Sequence, residues 1–248
     1  MKHLKMANNL QILILAAGKG TRMNSDIPKV LHTVVGVSMI EHVISKAKQL
    51  NPLKISIMIN KDLVDLKEQY PGIQLFLQEP QLGTGHAVQI FQKKNKLKNT
   101  NLLVLYGDNP LVNFNDLKNI KNQLKKNDVV ILGFQPDHNN SYGIIVEKKG
   151  KVEEIVEFKD SNAEQRKIKI CNSGIVALSS KALQLVSQIK NNNVKKEFYL
   201  TDIVKLSKKY NYKIKLVTTN NSKTALGIND MNELGIAETI MQDQLRKK

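Results

Sequence analysis

The chain is 248 residues long, 41% hydrophobic and 24% charged, with 38 Lys and Arg against 22 Asp and Glu, a net charge of +16. That length holds one large domain with a substantial core, and no apolar run approaches the ~20 residues a membrane helix needs. A single cysteine, Cys171, excludes an internal disulfide and a Cys-rich zinc site.

The amino-terminal stretch lacks the apolar core and cleavage site of a signal peptide, so a cytoplasmic location is expected, with no membrane partner. The basic balance raises nucleic-acid binding as a class. Against it, the lysines are scattered among Asn and Ile, Trp is absent, and no zinc finger, helix-turn-helix or aromatic RNA-binding motif occurs. No nucleic-acid partner is expected. A positive surface also draws in small anions, in a salt-dependent way.

In chain order, residues 11–15 read as a buried strand. The strand runs into Leu15-Ala16-Ala17-Gly18-Lys19-Gly20-Thr21-Arg22-Met23, followed by Pro28-Lys29. A strand ending in a glycine-rich, cationic loop is a phosphate trap, because glycines let the backbone turn its N–H groups toward an anion. Lys19, Arg22 and Lys29 place positive charge at the same spot. The P-loop spacing is absent, and Met23 stands where a dinucleotide fingerprint needs a third glycine.

Residues 38–50 carry Met39, Ile40, Val43, Ile44 and Ala47 at helical spacing, with Ser38 as cap. Strands are predicted at 54–59, 74–77, 102–106 and 129–134, and helices at 83–94 and 115–125. This alternation predicts a mostly parallel sheet covered on both faces, with ligands outside the carboxyl ends of its strands. Residues 142–158 read as two short strands around a Lys-Lys-Gly-Lys turn, and 172–178 as another strand, together walling the pocket at the sheet's edge. A helix at 200–209, a strand at 213–218 and a helical stripe from Asp230 to Lys248 complete the chain. No internal repeat is visible.

The first-loop string with Pro28-Lys29-Val30-Leu31 resembles the signature of the sugar-1-phosphate nucleotidyltransferases. Within them it is most similar to the N-terminal uridyltransferase domain of the bacterial bifunctional uridyltransferase/acetyltransferases, which act on N-acetylglucosamine 1-phosphate and glucosamine 1-phosphate. Seven further blocks keep that family's order: residues 78–87, 105–111, Tyr142-Gly143, 156–160, 172–174, 197–202, and Gly227-Ile228-Asn229. The resemblance implies an α/β, three-layer Rossmann-like fold with a mixed, mostly parallel sheet of the nucleotide-diphospho-sugar transferase type. It implies a nucleotidyltransferase domain over 1–228 and a terminal helix over 229–248. No acetyltransferase domain is expected, since hexapeptide repeats are absent. The oligomeric state is left open.

The implied activity is Mg²⁺-dependent transfer of UMP from UTP to N-acetylglucosamine 1-phosphate, for envelope polysaccharide synthesis. Asp108 is the implied metal ligand, delivered by strand 102–106, with Asn229 as the second; Mg²⁺ takes oxygen ligands and keeps several waters. Asp108 also reads as turn chemistry before Pro110, and Asn229 as the N-cap of the last helix. Arg22 and Lys29 are the implied catalytic cations; either also reads as a solvated surface cation. Nucleotide contacts fall on Leu15, Ala16, Ala17 and Gly18, on Gln78, Gly83 and Thr84, and on Tyr106 and Gly107. Thr84 also reads as a helix cap, and His86 as structural. Sugar contacts fall on Gly143, Glu157 and Asn172, with Tyr142, Tyr199 and Thr201 behind them. Glu157 also reads as an exposed carboxylate paired with Lys159. Other sugar phosphates or triphosphates on the same fold, and a non-catalytic sugar-nucleotide-binding protein, stand as alternatives.

Overall fold

A computed structural model of the chain describes residues 9–95, 99–136, 142–225 and 227–247. In chain order the elements are β1 (Leu10–Leu15), β2 (Thr33–Val34), β3 (Val37–Ser38), α1 (Met39–Gln49), β4 (Lys54–Ile59), α2 (Leu66–Gln69), β5 (Gln74–Leu77), α3 (Thr84–Lys94) and β6 (Asn101–Tyr106). There follow α4 (Phe114–Gln123), β7 (Val129–Phe134), β8 (Ile144–Lys148), β9 (Lys151–Val156), β10 (Cys171–Leu178), α5 (Ser180–Gln184), α6 (Ile203–Lys209), β11 (Ile214–Thr218) and α7 (Met231–Arg246).

The main sheet runs β11-β7-β10-β6-β1-β4-β5. Its strands are parallel except β10, which lies antiparallel between β6 and β7. The β8–β9 hairpin hangs from the start of β10 through Cys171 and Ile144. Strand β1, Leu-Gln-Ile-Leu-Ile-Leu, is buried at every position, as a strand covered on both faces must be. Ile12 and Ile14 pack with Val43, Ile44 and Ala47 of α1 on one face. Leu13 and Leu15 pack with Ala87, Val88 and Phe91 of α3 on the other. This is the predicted three-layer α/β architecture.

Helix α1 starts where the sequence places it: the Ser38 side chain accepts a hydrogen bond from the Glu41 amide at 3.3 Å, a contact that contributes about 1 kcal/mol. Two predicted details need correcting, and some short elements were missed. Gly83, not Thr84, occupies the N-cap of α3. The predicted helix at 200–209 divides into a single 3-10 turn, Leu200–Asp202, and α6. The β2–β3 hairpin and α2 and α5 were not foreseen, because two-residue strands and helices of about one turn are too short to show a period.

The terminal helix is part of the same body. Ala237 and Met241 of α7 pack with Val34, Met39, Leu111 and Ile228. Its stripe is only partly covered, since Met231 and Leu245 are exposed. The hairpin turn beneath it carries Val35 at φ 51, a conformation that strains a β-branched residue. The Glu238 carboxylate of α7 accepts the Val35 amide at 2.6 Å, so tertiary packing holds the turn. Among the described residues, no helix is long and apolar enough to cross a membrane.

Candidate active site

The order of strand additions locates the site. From β1 the chain steps to β4 and β5, then returns to lay β6 on the opposite side of β1. At such a reversal the carboxyl-end loops diverge and leave a crevice. The crevice here is a cavity of about 340 Å³ whose walls include Leu15, Ala16, Ala17 and Gly18 after β1, and Tyr106 and Asp108 after β6. Gly107 lies just beneath, its amide donating to Leu15 O at 2.9 Å and tying the two strand ends together.

Gly20 brings the first loop against Lys29. It sits at φ +63, and a Cβ there would lie 2.6 Å from Lys29 Cβ. Lys29 opens a single 3-10 turn, Lys29–Leu31, anchored by buried Val30. Its ammonium reaches across the cavity floor, 2.5 Å from Asp108 Oδ2 and 2.9 Å from Asn229 Oδ1. The Lys29 and Asp108 side chains are only 11% and 21% exposed. Neither is a solvated surface group.

Asn229 arrives from 121 positions beyond Asp108 in the chain and is tied down on three sides. The Ile228 amide donates to Asp108 O at 2.8 Å. The Asn229 amide donates to Glu233 Oε2 at 2.6 Å, and its side-chain Nδ2 donates to Gly227 O at 3.0 Å and to Glu233 Oε2 at 3.2 Å. With Nδ2 engaged twice, Oδ1 is the end turned toward Lys29. Asn229 is not the cap of α7; that place belongs to Asp230, whose carboxylate accepts the Glu233 amide at 2.9 Å. Asp108 and Asn229 therefore present two oxygens to one point, a donor set suited to a hard divalent cation.

Gln78, 6% exposed, forms the far wall with Gly83 and Thr84. Its Nε2 donates to Gly83 O at 2.9 Å, which leaves Oε1 as its available acceptor. Gly83, at φ +104, would press a Cβ to 2.7 Å from Phe198 O. The close approach lets the Gly85 amide donate to that same oxygen at 2.7 Å, locking the loop before α3 to residues 197–199. Thr84 Oγ1 accepts the Leu200 amide at 3.1 Å. His86 lies behind this wall, 5.9 Å from the Phe198 ring centroid, and burial lowers its pKa.

A second cavity, of about 300 Å³, adjoins the first and shares Thr84, Tyr106, Asp108 and Glu197 with it. Gly143, Glu157, Asn172 and Asn229 line it, as do Tyr142, Tyr199 and Thr201. Asn172 sits at a register shift in β10. Its Oδ1 accepts the Gly174 amide at 3.1 Å, and its own amide donates to Gly143 O at 2.7 Å. Glu157 Oε1 accepts from Thr201 Oγ1 at 3.1 Å. The expected alternative of an exposed Glu157 paired with Lys159 is thereby replaced.

Desolvation by burial raises the Glu157 pKa above its ordinary 4.5, and the Thr201 hydrogen bond offsets only part of this. A raised folded-state pKa favours folding fully below the ordinary value, and that contribution is lost as pH rises through the raised one. At neutral pH the buried carboxylate subtracts from stability. Glu157→Gln is expected to raise Tm by ~2 °C near pH 7.5, with the gain vanishing near pH 4. Melting curves of both proteins across that range check this; a gain that does not change with pH would refute it.

Arg22 is exposed on the single 3-10 turn Thr21–Met23 and lines neither cavity. Its charge still reaches the second cavity's wall. Burial pushes the Tyr142 hydroxyl up to about 12, and Arg22 acts on it in the opposite direction. Several lining groups escaped the sequence reading. Glu197, Lys195 and Asn109 line the second cavity, and Asn109 is 2% exposed with Oδ1 lacking a hydrogen-bond partner. Glu233 was missed as the residue that aims Asn229; the signal was present in Asp230-Met231-Asn232-Glu233, a capping-box spacing.

Residues 12–173 match the MobA-like NTP transferase domain. The chain is 40% identical over 243 residues to the bifunctional protein GlmU of Francisella tularensis subsp. novicida (strain U112), covering 96% of this chain and 53% of that one. It is 38% identical over 240 residues to the bifunctional protein GlmU of Buchnera aphidicola subsp. Schizaphis graminum, covering 96% and 52%. The chain thus spans about half the length of the curated relatives it matches. A Bacillus anthracis structure assigned as a glucose-1-phosphate thymidylyltransferase superposes with a TM-score of 0.76 at 20% identity, over 94% of this chain and 96% of that one. At that identity the likeness is one of fold.

Proposed function

The chain belongs to the MobA-like NTP transferase domain family and is a nucleotidyltransferase, and on that premise we propose that it transfers UMP from UTP to N-acetylglucosamine 1-phosphate. An oxygen of the sugar phosphate attacks the α-phosphorus of UTP. The bond from that phosphorus to the bridging oxygen breaks, and pyrophosphate leaves. The attacking oxygen is already ionised, so no strong general base is required; positioning and charge neutralisation carry the chemistry. The observation that supports this reading best is the meeting of Asp108, Lys29 and Asn229 at the boundary of two adjoining cavities.

In this reading the triphosphate lies in the first cavity, against the backbone of residues 15–20 and the charges of Lys19 and Lys29. Gln78 Oε1 is an acceptor suited to the imide N–H of uracil. The acceptor sugar lies in the second cavity, where Glu157 and Asn172 offer hydrogen bonds to its hydroxyl and acetamido groups. Arg22, exposed on the turn after the first loop, would attract the departing pyrophosphate. Asp108 and Asn229 would hold Mg²⁺, which supplies charge neutralisation between the two anionic reactants. The product, UDP-N-acetylglucosamine, would serve envelope polysaccharide synthesis in the cytoplasm.

The test follows pyrophosphate release with UTP, Mg²⁺ and a panel of sugar 1-phosphates, repeated with the other nucleoside triphosphates. Preference for UTP with N-acetylglucosamine 1-phosphate is expected. A faster rate with another pair reassigns the substrates, and no turnover with any pair removes the enzymatic reading. Glu157→Gln should raise the KM for the sugar phosphate about tenfold and leave that for UTP unchanged, as expected for a charged hydrogen bond to the sugar.

A further inference from the structure

Lys29 stands at the point on which two site oxygens converge. Asp108 Oδ2 and Asn229 Oδ1 both face its ammonium, at 2.5 and 2.9 Å. Among the described residues, Asp108 forms an ion pair with Lys29 alone. The same two oxygens are the ones a divalent cation would take. They cannot serve the ammonium and a second cation together, because like charges at that separation repel strongly in a partly buried site. Asn229 does not decide between them. Gly227 and Glu233 hold its amide in this orientation through bonds that involve neither cation.

Lys29 does have somewhere else to go. Its side chain also lines the first cavity, beside Gly18, Lys19 and Gly20. An ammonium on a flexible four-carbon stem is a mobile point charge, and a triphosphate at that loop offers it several anionic oxygens. We propose that Lys29 is the resident counter-cation of the Asp108–Asn229 pair, excluding free divalent ions until a nucleoside triphosphate draws its ammonium across to the phosphates. The anion relieves the competition, so divalent ion and triphosphate enter as a coupled pair. By linkage, each raises affinity for the other. The inference depends on the proposed function only for the identity of the anion.

The test is a titration with Mn²⁺ alone, without nucleotide, read by the electron paramagnetic resonance of the free ion. It compares the wild type, Lys29→Met, Lys29→Arg and the double variant Lys29→Met/Asp108→Asn, each first checked for an unchanged circular dichroism spectrum. Lys29→Met should bind Mn²⁺ about tenfold more tightly than the wild type. Lys29→Arg keeps the cation and should stay as weak as the wild type, and the double variant should lose the gain. Lys29→Met binding no more tightly than the wild type, or Lys29→Arg matching Lys29→Met, would overturn the proposal. A second titration with UTP in EDTA tests the transfer to the phosphates. Lys29→Met should bind UTP about tenfold more weakly than the wild type, and equal binding would overturn that half. Neither titration needs turnover. A protein inactive on every sugar phosphate would refute the proposed function, and the Mn²⁺ comparison would still decide for or against Lys29.

Discussion

Asp108→Ala should lower turnover by about 10³-fold with UTP and a sugar 1-phosphate, the loss of several kcal/mol of charge stabilisation at the reacting phosphates. Two acidic groups, Asp108 and Glu197, line both cavities, and Asp108 is the one that Lys29 and Asn229 are arranged around. Asn229→Ala removes one neutral oxygen from the same point and should cost about 10²-fold. Asp108→Ala should also lower Tm by a few degrees, because it leaves a largely buried ammonium with Asn229 Oδ1 in place of a carboxylate. Steady-state kinetics beside a thermal melt separate the two effects. Near-normal turnover in Asp108→Ala would remove it as the centre of the chemistry. Loss of turnover only at temperatures where the variant is already unfolding would mean that the carboxylate is structural.

Gly20→Ala should reduce kcat/KM about 10²-fold, as expected when a reacting group is displaced by about an ångström. Two effects combine at this position. The backbone is at φ +63, a conformation that costs a residue with a Cβ about 1–2 kcal/mol. The new methyl would also stand 2.6 Å from Lys29 Cβ, and that atom is the rigid start of the side chain. The turn carrying Lys29 has to move, taking the ammonium away from Asp108 and Asn229. Gly18→Ala is the matched control for stability, because a Cβ there meets nothing within 4 Å. Gly20→Ala should melt several degrees lower and Gly18→Ala should not. If both variants melt alike and Gly20→Ala retains its kcat/KM, the loop does not position Lys29.

The first loop was legible because its information is local. The glycines, the basic residues and the buried strand that presents them lie within twenty positions, and a phosphate trap needs only that. Helix α1 and strands β1, β4, β5 and β7 were legible for a similar reason: their hydrophobic periods are long enough to stand above noise. The direction of β10 was not. A buried run of Ile, Val, Ala and Leu reads the same parallel or antiparallel, and only its hydrogen bonds to β6 and β7 distinguish them. Arg22 shows the opposite limit. Its basic character beside the glycines nominated it, yet the turn that buries Met23 leaves Arg22 exposed and outside both cavity linings.

The amino-acid sequence by itself determined the α/β layering, the phosphate-binding first loop and the residue types of the site, because burial patterns and turn chemistry act over a few neighbouring residues. Only the tertiary structure decided which groups meet. Lys29 and Asn229 are 200 positions apart, and the capping-box spacing that marks Asp230 as the cap does not say where Asn229 Oδ1 points. The Ile228 amide bonded to Asp108 O sets Asn229 beside Asp108, with α7 packed on Val34 and Met39. Chain crossings of that length are settled by which apolar faces bury against each other, and no local pattern encodes the outcome.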